Sequence, residues 1–369
     1  MSIKKKDRST VNEWCAQYER VRPDYFRLTT KIESLMSDIL QAKDIGYHLI
    51  EARTKDATSF REKIVRSSKS YTNPLEELTD LTGLRIITYY QDDAALIGEL
   101  IKSEFDVDST NSVEHSPIDS EFGYRSAHYI VRLSDSRAQL VEWAGLAGLR
   151  AEIQVRTVLQ HAWAAISHKL QYKREHDVPT SLRRKLFRLS ALFELADDEF
   201  VSLRDASGKL SKQIDNQLSK GDRNIRIDHV SLSQFVEQSI VVSELCTFAA
   251  EVGFSFDNPN HPDDSSRDII SDLVLLAGYA RLNTLSQLEN ALEGALSWAK
   301  AYFAEQYLQS GGPGEQHEWY VSPAFICELL LIKSHISHLR PGYLLQLGWD
   351  RSIASRVFKV AKEFRPLEA

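Results

Sequence analysis

The segment Ala151–Arg156 alternates strictly, with Ile153 and Val155 on one side of an extended chain and Glu152, Gln154 and Arg156 on the other. It predicts a strand with one apolar and one polar face. Ahead of it, Tyr18, Val21, Tyr25, Leu28, Ile32, Leu35, Ile39 and Leu40 recur at helix spacing and predict helix from about 10 to 52. A second helical piece follows over 58–67. Leu84–Tyr90, rich in β-branched and aromatic residues, predicts a strand, then a helix over 93–103 and a short strand over 105–107. The polar run 108–121 is a loop broken by Pro117. Ala127–Leu133 predicts a strand, 137–147 a helix and 149–156 the strand described above. Helices take over from Thr157. Strands and helices in this order give an α+β unit, a mixed β-sheet flanked by helices, over residues 1–205. Ser, Gly, Lys, Asn and Asp crowd the linker candidate 206–228. A helical C-terminal domain is expected over 229–369, with periodic stretches near 232–252, 267–280, 286–308, 323–338 and 350–363. The breaker Ser310-Gly311-Gly312-Pro313-Gly314 falls between two of them.

Bulk properties narrow the class of protein. At 369 residues the chain exceeds one simple core. A net charge of -7 argues against wholesale coating of nucleic acid. Cys15, Cys246 and Cys327 are odd in number and far apart, which fits neither a metal motif nor a disulfide framework and suits a reducing, cytoplasmic setting. The basic start Lys4-Lys5-Lys6-Asp7-Arg8 has no apolar run behind it, so no signal peptide is expected. No apolar window of about 18 residues predicts a membrane helix.

Four constellations carry chemistry. Lys55, Ser59 and Lys63 fall at i, i+4 and i+8, and with Arg53 would make one cationic stripe on a helix, suited to a polyphosphate or simply to solvent. Asp80-Leu81-Thr82-Gly83-Leu84-Arg85 places a carboxylate suited to Mg²⁺, a glycine open to close approach and a guanidinium at the mouth of a strand; it also reads as an ordinary turn. Gly123-Tyr124-Arg125-Ser126-Ala127-His128 offers a ring on which a base could stack, with Arg125 and His128 for phosphate or ribose, or else a tyrosine packed at a hairpin shoulder. Glu152 is the general-base or second metal-ligand candidate. His161 and His168 follow on the next helix, at a spacing better suited to phosphate contacts than to zinc.

Taken in order, Arg53-x-Lys55, Asp80-x-x-Gly83-x-Arg85, Gly123-Tyr124-Arg125-Ser126-x-His128, Glu152-Ile153-Gln154-Val155-Arg156-Thr157 with Gln160-His161-Ala162-Trp163-Ala164, then His168 and Tyr172-Lys173 resemble the RelA/SpoT synthetase family over about 45–205. The resemblance implies a nucleotidyltransferase-like fold. It also implies transfer of the β,γ-pyrophosphate of ATP to the 3′-hydroxyl of GDP or GTP with Mg²⁺. By the same resemblance Arg53, Lys55, Ser59, Lys63 and Arg85 hold ATP, and Asp80 and Glu152 hold the metal, with Glu152 at the acceptor hydroxyl. Tyr124, Arg125, His128, Gln154, His161 and His168 meet the acceptor; some members carry asparagine where His161 stands.

One departure keeps other readings open. Many members have lysines before the Gly-Tyr turn, where this chain has Ile118-Asp119-Ser120-Glu121-Phe122. Negative charge there opposes an acceptor polyphosphate, so an adenine nucleotide or a tRNA 3′ CCA end, acceptors of toxic relatives, stands beside GDP/GTP. A catalytically dead nucleotide sensor is a third reading. The region 229–369 reads as a fused inhibitor or sensor, of toxin–antitoxin or phage-defence type and answering a phage or cellular protein. It reads equally as a homo-oligomerisation module or as a scaffold.

Overall fold

A computed structural model describes residues 8–66, 71–114, 126–169, 180–256, 268–309 and 319–365. Two compact units emerge, Met1–Arg204 and Asp205–Ala369.

The first unit contains α1 (Arg8–Ala42), β1 (Leu49–Thr54), α2 (Ala57–Val65), α3 (Pro74–Glu77), β2 (Thr82–Thr88) and α4 (Gln91–Glu104). These are followed by β3 (Phe105–Val107), β4 (Ala127–Leu133), α5 (Asp135–Ala138), β5 (Ala151–Thr157), α6 (Val158–Lys169) and the start of α7 (Thr180–Ser219). The strands form a five-stranded mixed sheet in the order β1-β2-β5-β4-β3, in which β2 and β5 run parallel and the other neighbours antiparallel. One face is apolar. Leu84, Ile86, Ile153 and Val155 pack there against Leu28, Ile32, Met36 and Leu40 of α1 and Ile97 and Ile101 of α4. A smaller core joins Tyr18 and Tyr25 of α1 to Phe60 and Ile64 of α2 and to Leu81. The strand alternation that buries one face leaves the other polar.

Three expectations need correction. Helix does not continue to 52: α1 ends at Ala42, Asp44 takes a positive φ of 53°, and 49–54 is an edge strand. Its residues alternate, Ile50 and Ala52 toward the core and Glu51 and Arg53 away, a period of two that the long helical pattern upstream obscures. The helix expected over 137–147 is only α5 and a 3-10 turn at Val141–Trp143, because Gly145 and Gly148 adopt φ near +80°. The stretch expected as a linker is helical as far as Ser219, since Ile214 and Leu218, four residues apart, are buried in the second unit's core.

The second unit is helical. It comprises the end of α7, α8 (His229–Gln238), α9 (Ile240–Val252), α10 (Ile269–Tyr279), α11 (Leu285–Glu293), α12 (Leu296–Leu308), α13 (Pro323–Ser334), α14 (Pro341–Gln346) and α15 (Arg351–Glu363), with a two-residue parallel pairing of β6 (Phe254–Ser255) and β7 (Trp319–Tyr320). Side-chain caps at Asp228, Ser239, Asp268, Thr284, Ser322 and Asp350 start its helices. Helix α13 is buried on all sides from Ala324 to Ile332 and forms the centre of the unit. Among the described residues no helix is long and apolar enough to cross a membrane.

Candidate active site

Strand register builds the site. Directly paired residues share a face, so Arg53, Gly83 and Glu152 form one row across β1, β2 and β5. Glu51, Arg85, Gln154 and His128 form the next, across β1, β2, β5 and β4. Gly83 has no side chain between Arg53 and Glu152, and that gap opens a cavity of about 200 Å³. Glu51, Arg53, Asp80, Gly83, Arg85, Glu152 and Gln154 line it.

Asp80 stands just before β2. Its Oδ2 accepts from Lys55 Nζ at 2.9 Å and Lys63 Nζ at 2.5 Å. Burial pushes this carboxyl up, and the two ammonium groups more than offset that, leaving it below the usual carboxylate range. Its Oδ1 is buried without a hydrogen-bond partner. Lys55 is fixed through its backbone, whose N–H donates to the Leu81 carbonyl at 2.9 Å and whose carbonyl accepts from Tyr18 Oη at 2.5 Å. The expected helical stripe is therefore different in detail. Lys55 precedes α2, Asp56 caps it, and Ser59 donates its hydroxyl to Asp56 at 2.7 Å. Lys55 and Lys63 converge by meeting at Asp80, from a loop and from a helix.

Glu152 Oε1 lies 3.0 Å from His128 Nδ1, and Ser126 Oγ lies 2.8 Å from His128 Nε2, so a hydroxyl, an imidazole and a carboxylate form a chain. Burial raises the Glu152 carboxyl, and His128 followed by Gln154 outweigh it, so the group is held low and ionised. Gln154 Oε1 accepts from Arg85 Nε at 3.3 Å and from Arg156. Arg85 also reaches Glu51 at 3.5 Å.

Arg156 is only 6% exposed, and its Nε has no hydrogen-bond partner. Burial, then the charge of Arg85, lowers its proton affinity. Helix α6 starts on a reciprocal pair in which Gln160 N donates to Thr157 Oγ1 and Thr157 N donates to Gln160 Oε1. That start brings His161 within the field of Arg156, Arg85 and Glu51. Burial, and next the Arg156 charge, keep this imidazole neutral, and its Nδ1 is buried without a partner.

The structure thus gathers Arg53, Lys55, Lys63, Asp80, Arg85, His128, Glu152, Gln154 and His161 at the polar face. Ser59 is nearby but serves the cap. Tyr124 and Arg125 lie outside the described residues, as does the side chain of His168, which is placed only by its backbone in α6. Glu51 and Arg156 were given no role from sequence. Glu51 was hidden by the helical reading of its strand, whereas Arg156 stood in plain sight in the Glu152, Gln154, Arg156 alternation.

Among the described residues no cluster of three or more His, Cys, Asp or Glu could hold a metal by itself. The donors present are the orphaned Asp80 Oδ1 and the Glu152 carboxylate, on one cavity. Two carboxylates completed by phosphate oxygens and water suit Mg²⁺, which is rarely caged by protein alone.

Comparison with known proteins agrees with the motif order. The chain is 29% identical over 155 residues to the GTP pyrophosphokinase YjbM of Bacillus subtilis (strain 168), covering 42% of this chain and 71% of that one. It is 27% identical over 164 residues to the GTP pyrophosphokinase YwaC of the same organism, covering 43% and 76%. The crystal structure of small alarmone synthetase 1 from Bacillus subtilis aligns over 52% of this chain and 98% of its own, at 26% identity and a TM-score of 0.42. Residues 52–177 match the model of the region found in RelA/SpoT proteins, so that stretch of the chain is similar to the RelA/SpoT region.

Proposed function

We propose that the first unit is an ATP-dependent pyrophosphotransferase that makes (p)ppGpp-type nucleotides from GDP or GTP. The observation that carries this is the single cavity on which two ionised carboxylates, Asp80 and Glu152, meet the guanidinium groups of Arg53 and Arg85. Relatives named GTP pyrophosphokinases support the same reading.

The chemistry is an in-line displacement. The acceptor 3′-oxygen attacks the β-phosphorus of ATP, the bond from that phosphorus to the α,β-bridging oxygen breaks, and AMP leaves. The hydroxyl proton passes to Glu152, which is ionised and held toward the cavity by His128. Lys55, Lys63 and Arg53 neutralise the triphosphate, and Arg53 and Arg85 flank the adenine. Asp80 and Glu152 would hold Mg²⁺, which supplies further charge neutralisation when bound. Most of the acceleration comes from positioning and fixed charge. Gln154, locked between two guanidinium groups, orders the acceptor side.

The test is direct. The full chain incubated with ATP, Mg²⁺ and GDP or GTP should yield AMP and a 3′-pyrophosphorylated guanine nucleotide in equal amounts. Glu152→Gln should lower kcat by roughly 10²–10⁴, the span of a lost general base, with little change in binding of a non-hydrolysable ATP analogue measured without Mg²⁺. Transfer of label from ATP to adenine nucleotides or to tRNA, with none to GDP or GTP, would refute the guanine acceptor and leave the transferase standing. AMP release from none of these mixtures would refute the transferase.

A further inference from the structure

Four residues on the polar face of β1 and β2 form the corners of a square. Glu51 pairs with Arg85, and Arg53 pairs with Gly83. The two arginines are therefore diagonal neighbours, about 7–8 Å apart, and a flat ring with a group packed at about 3.5–4.0 Å on each side needs that separation. At the remaining corners Gly83 leaves the slot open and Glu51 brings a carboxylate to its edge; both line the cavity. Glu51 Oε2 lies 3.5 Å from Arg85 Nη1, and its side chain is 45% exposed. A committed charged pair is shorter, at about 2.7–2.9 Å. Among the described residues the Glu51 carboxylate has no other hydrogen-bond partner. The other acids of the cavity are engaged, Asp80 by Lys55 and Lys63 and Glu152 by His128.

We propose that Glu51 accepts a hydrogen bond from the 6-amino group of the donor adenine and so selects ATP over GTP as the pyrophosphate donor, which rests on the reading of ATP as donor made above. Stacking between two guanidinium groups cannot make this choice, because every base has a π-face. A contact at the edge of the ring can. A carboxylate only accepts. Adenine presents a donor at position 6, where guanine presents a carbonyl oxygen that a carboxylate repels. A transferase whose acceptor is GTP meets that nucleotide at both positions, and a donor position without an edge contact would admit it.

Because the carboxylate is half-exposed, the contact belongs at the low end for a charged hydrogen bond, and loss of the amino group should weaken binding about tenfold.

Titration calorimetry of the full chain compares the α,β-methylene triphosphates of adenosine and of purine riboside, which lacks only the 6-amino group. The parent should bind the first about tenfold more tightly. Glu51→Ala should bind the two alike, and Glu51→Gln, whose amide oxygen still accepts, should keep part of the preference. Equal binding by the parent overturns the proposal. So does a preference that survives Glu51→Ala, since Glu51 would then do no more than hold Arg85. A kinetic measurement reads the selection itself: release of GMP from GTP alone, relative to release of AMP from ATP with GDP, should rise in Glu51→Ala, and an unchanged ratio overturns the choice between donors. Absence of monophosphate release from every mixture counts against the transferase, while the calorimetric ratio still decides whether Glu51 reads the amino group.

Discussion

Lys55 and Lys63 share one oxygen of Asp80, and the balance at that carboxyl is between burial, which favours the proton, and two cations, which favour its loss. Because the folded carboxyl titrates below its unfolded value of about 3.9, its contribution to stability is complete above that pH and is lost as pH falls through the folded value. Lys63→Met leaves one cation against the burial. The variant should therefore be less stable than the parent at neutral pH, by about 1–3 kcal/mol for a half-satisfied buried acceptor. The gap should close in acid, where the carboxyl is protonated in both proteins. Urea melts across a pH series read this, and a gap that did not change with pH would mean that Lys63 acts by packing alone. Arg156 poses the opposite case. A guanidinium that is 6% exposed, beside Arg85 and with an orphaned Nε, costs the free protein stability. Arg156→Met should keep or raise the melting temperature while it weakens binding of a nucleoside triphosphate by tenfold or more. Calorimetry beside titration with a non-hydrolysable analogue separates the two effects, and loss of both would make Arg156 a structural residue.

The strands at the centre of the sheet were legible because their alternation is strong: Ala127–Leu133 and the Glu152, Gln154, Arg156 face read from sequence as they stand in the structure. Strand β1 was not, since Leu49–Thr54 is an edge strand with only Ile50 and Ala52 against the core, too short an apolar signal to break the long pattern of α1. With β1 went Glu51, and with it the cross-strand row that holds Arg85. The meeting of Lys55 with Lys63 was legible as charge and illegible as geometry, because a loop and a helix deliver them separately. Nor could spacing foresee the contact between Gly98 of α4 and Tyr129 of β4. A methyl group at 98 would collide with the Tyr129 hydroxyl and lie 3.2 Å from its Cζ, so only glycine lets this helix sit flush on the sheet. Gly98→Ala gains about 1 kcal/mol of helix propensity, whereas overpacking against a buried ring costs about 1–3 kcal/mol. A net loss of up to about 2 kcal/mol is expected, measurable by chemical denaturation. Gly98→Ala with Tyr129→Phe, which removes the colliding hydroxyl, should recover most of it.

Each unit has an apolar centre of its own. The clusters of the first draw on residues from Val11 to Val155, and that of the second on residues from Ile214 to Ala361. Cooperative unfolding follows a shared core, so two cores predict two transitions. Phe303 identifies one of them. It is fully buried among the rings of Phe254 and Tyr302 in the second unit. Phe303→Ala should cost about 3–5 kcal/mol, and in a unit of this size that lowers its transition by on the order of 10 °C. The first unit's transition should stay in place. A non-hydrolysable ATP analogue with Mg²⁺ should do the reverse, raising the first unit's transition by mass action on its bound state and leaving the second where it was. Differential scanning calorimetry of the full chain, with and without the analogue and with and without the substitution, gives four traces that decide the matter. Were a single endotherm to move under both perturbations, the units would fold as one, and a change in the helical unit would then reach the stability of the nucleotide site directly.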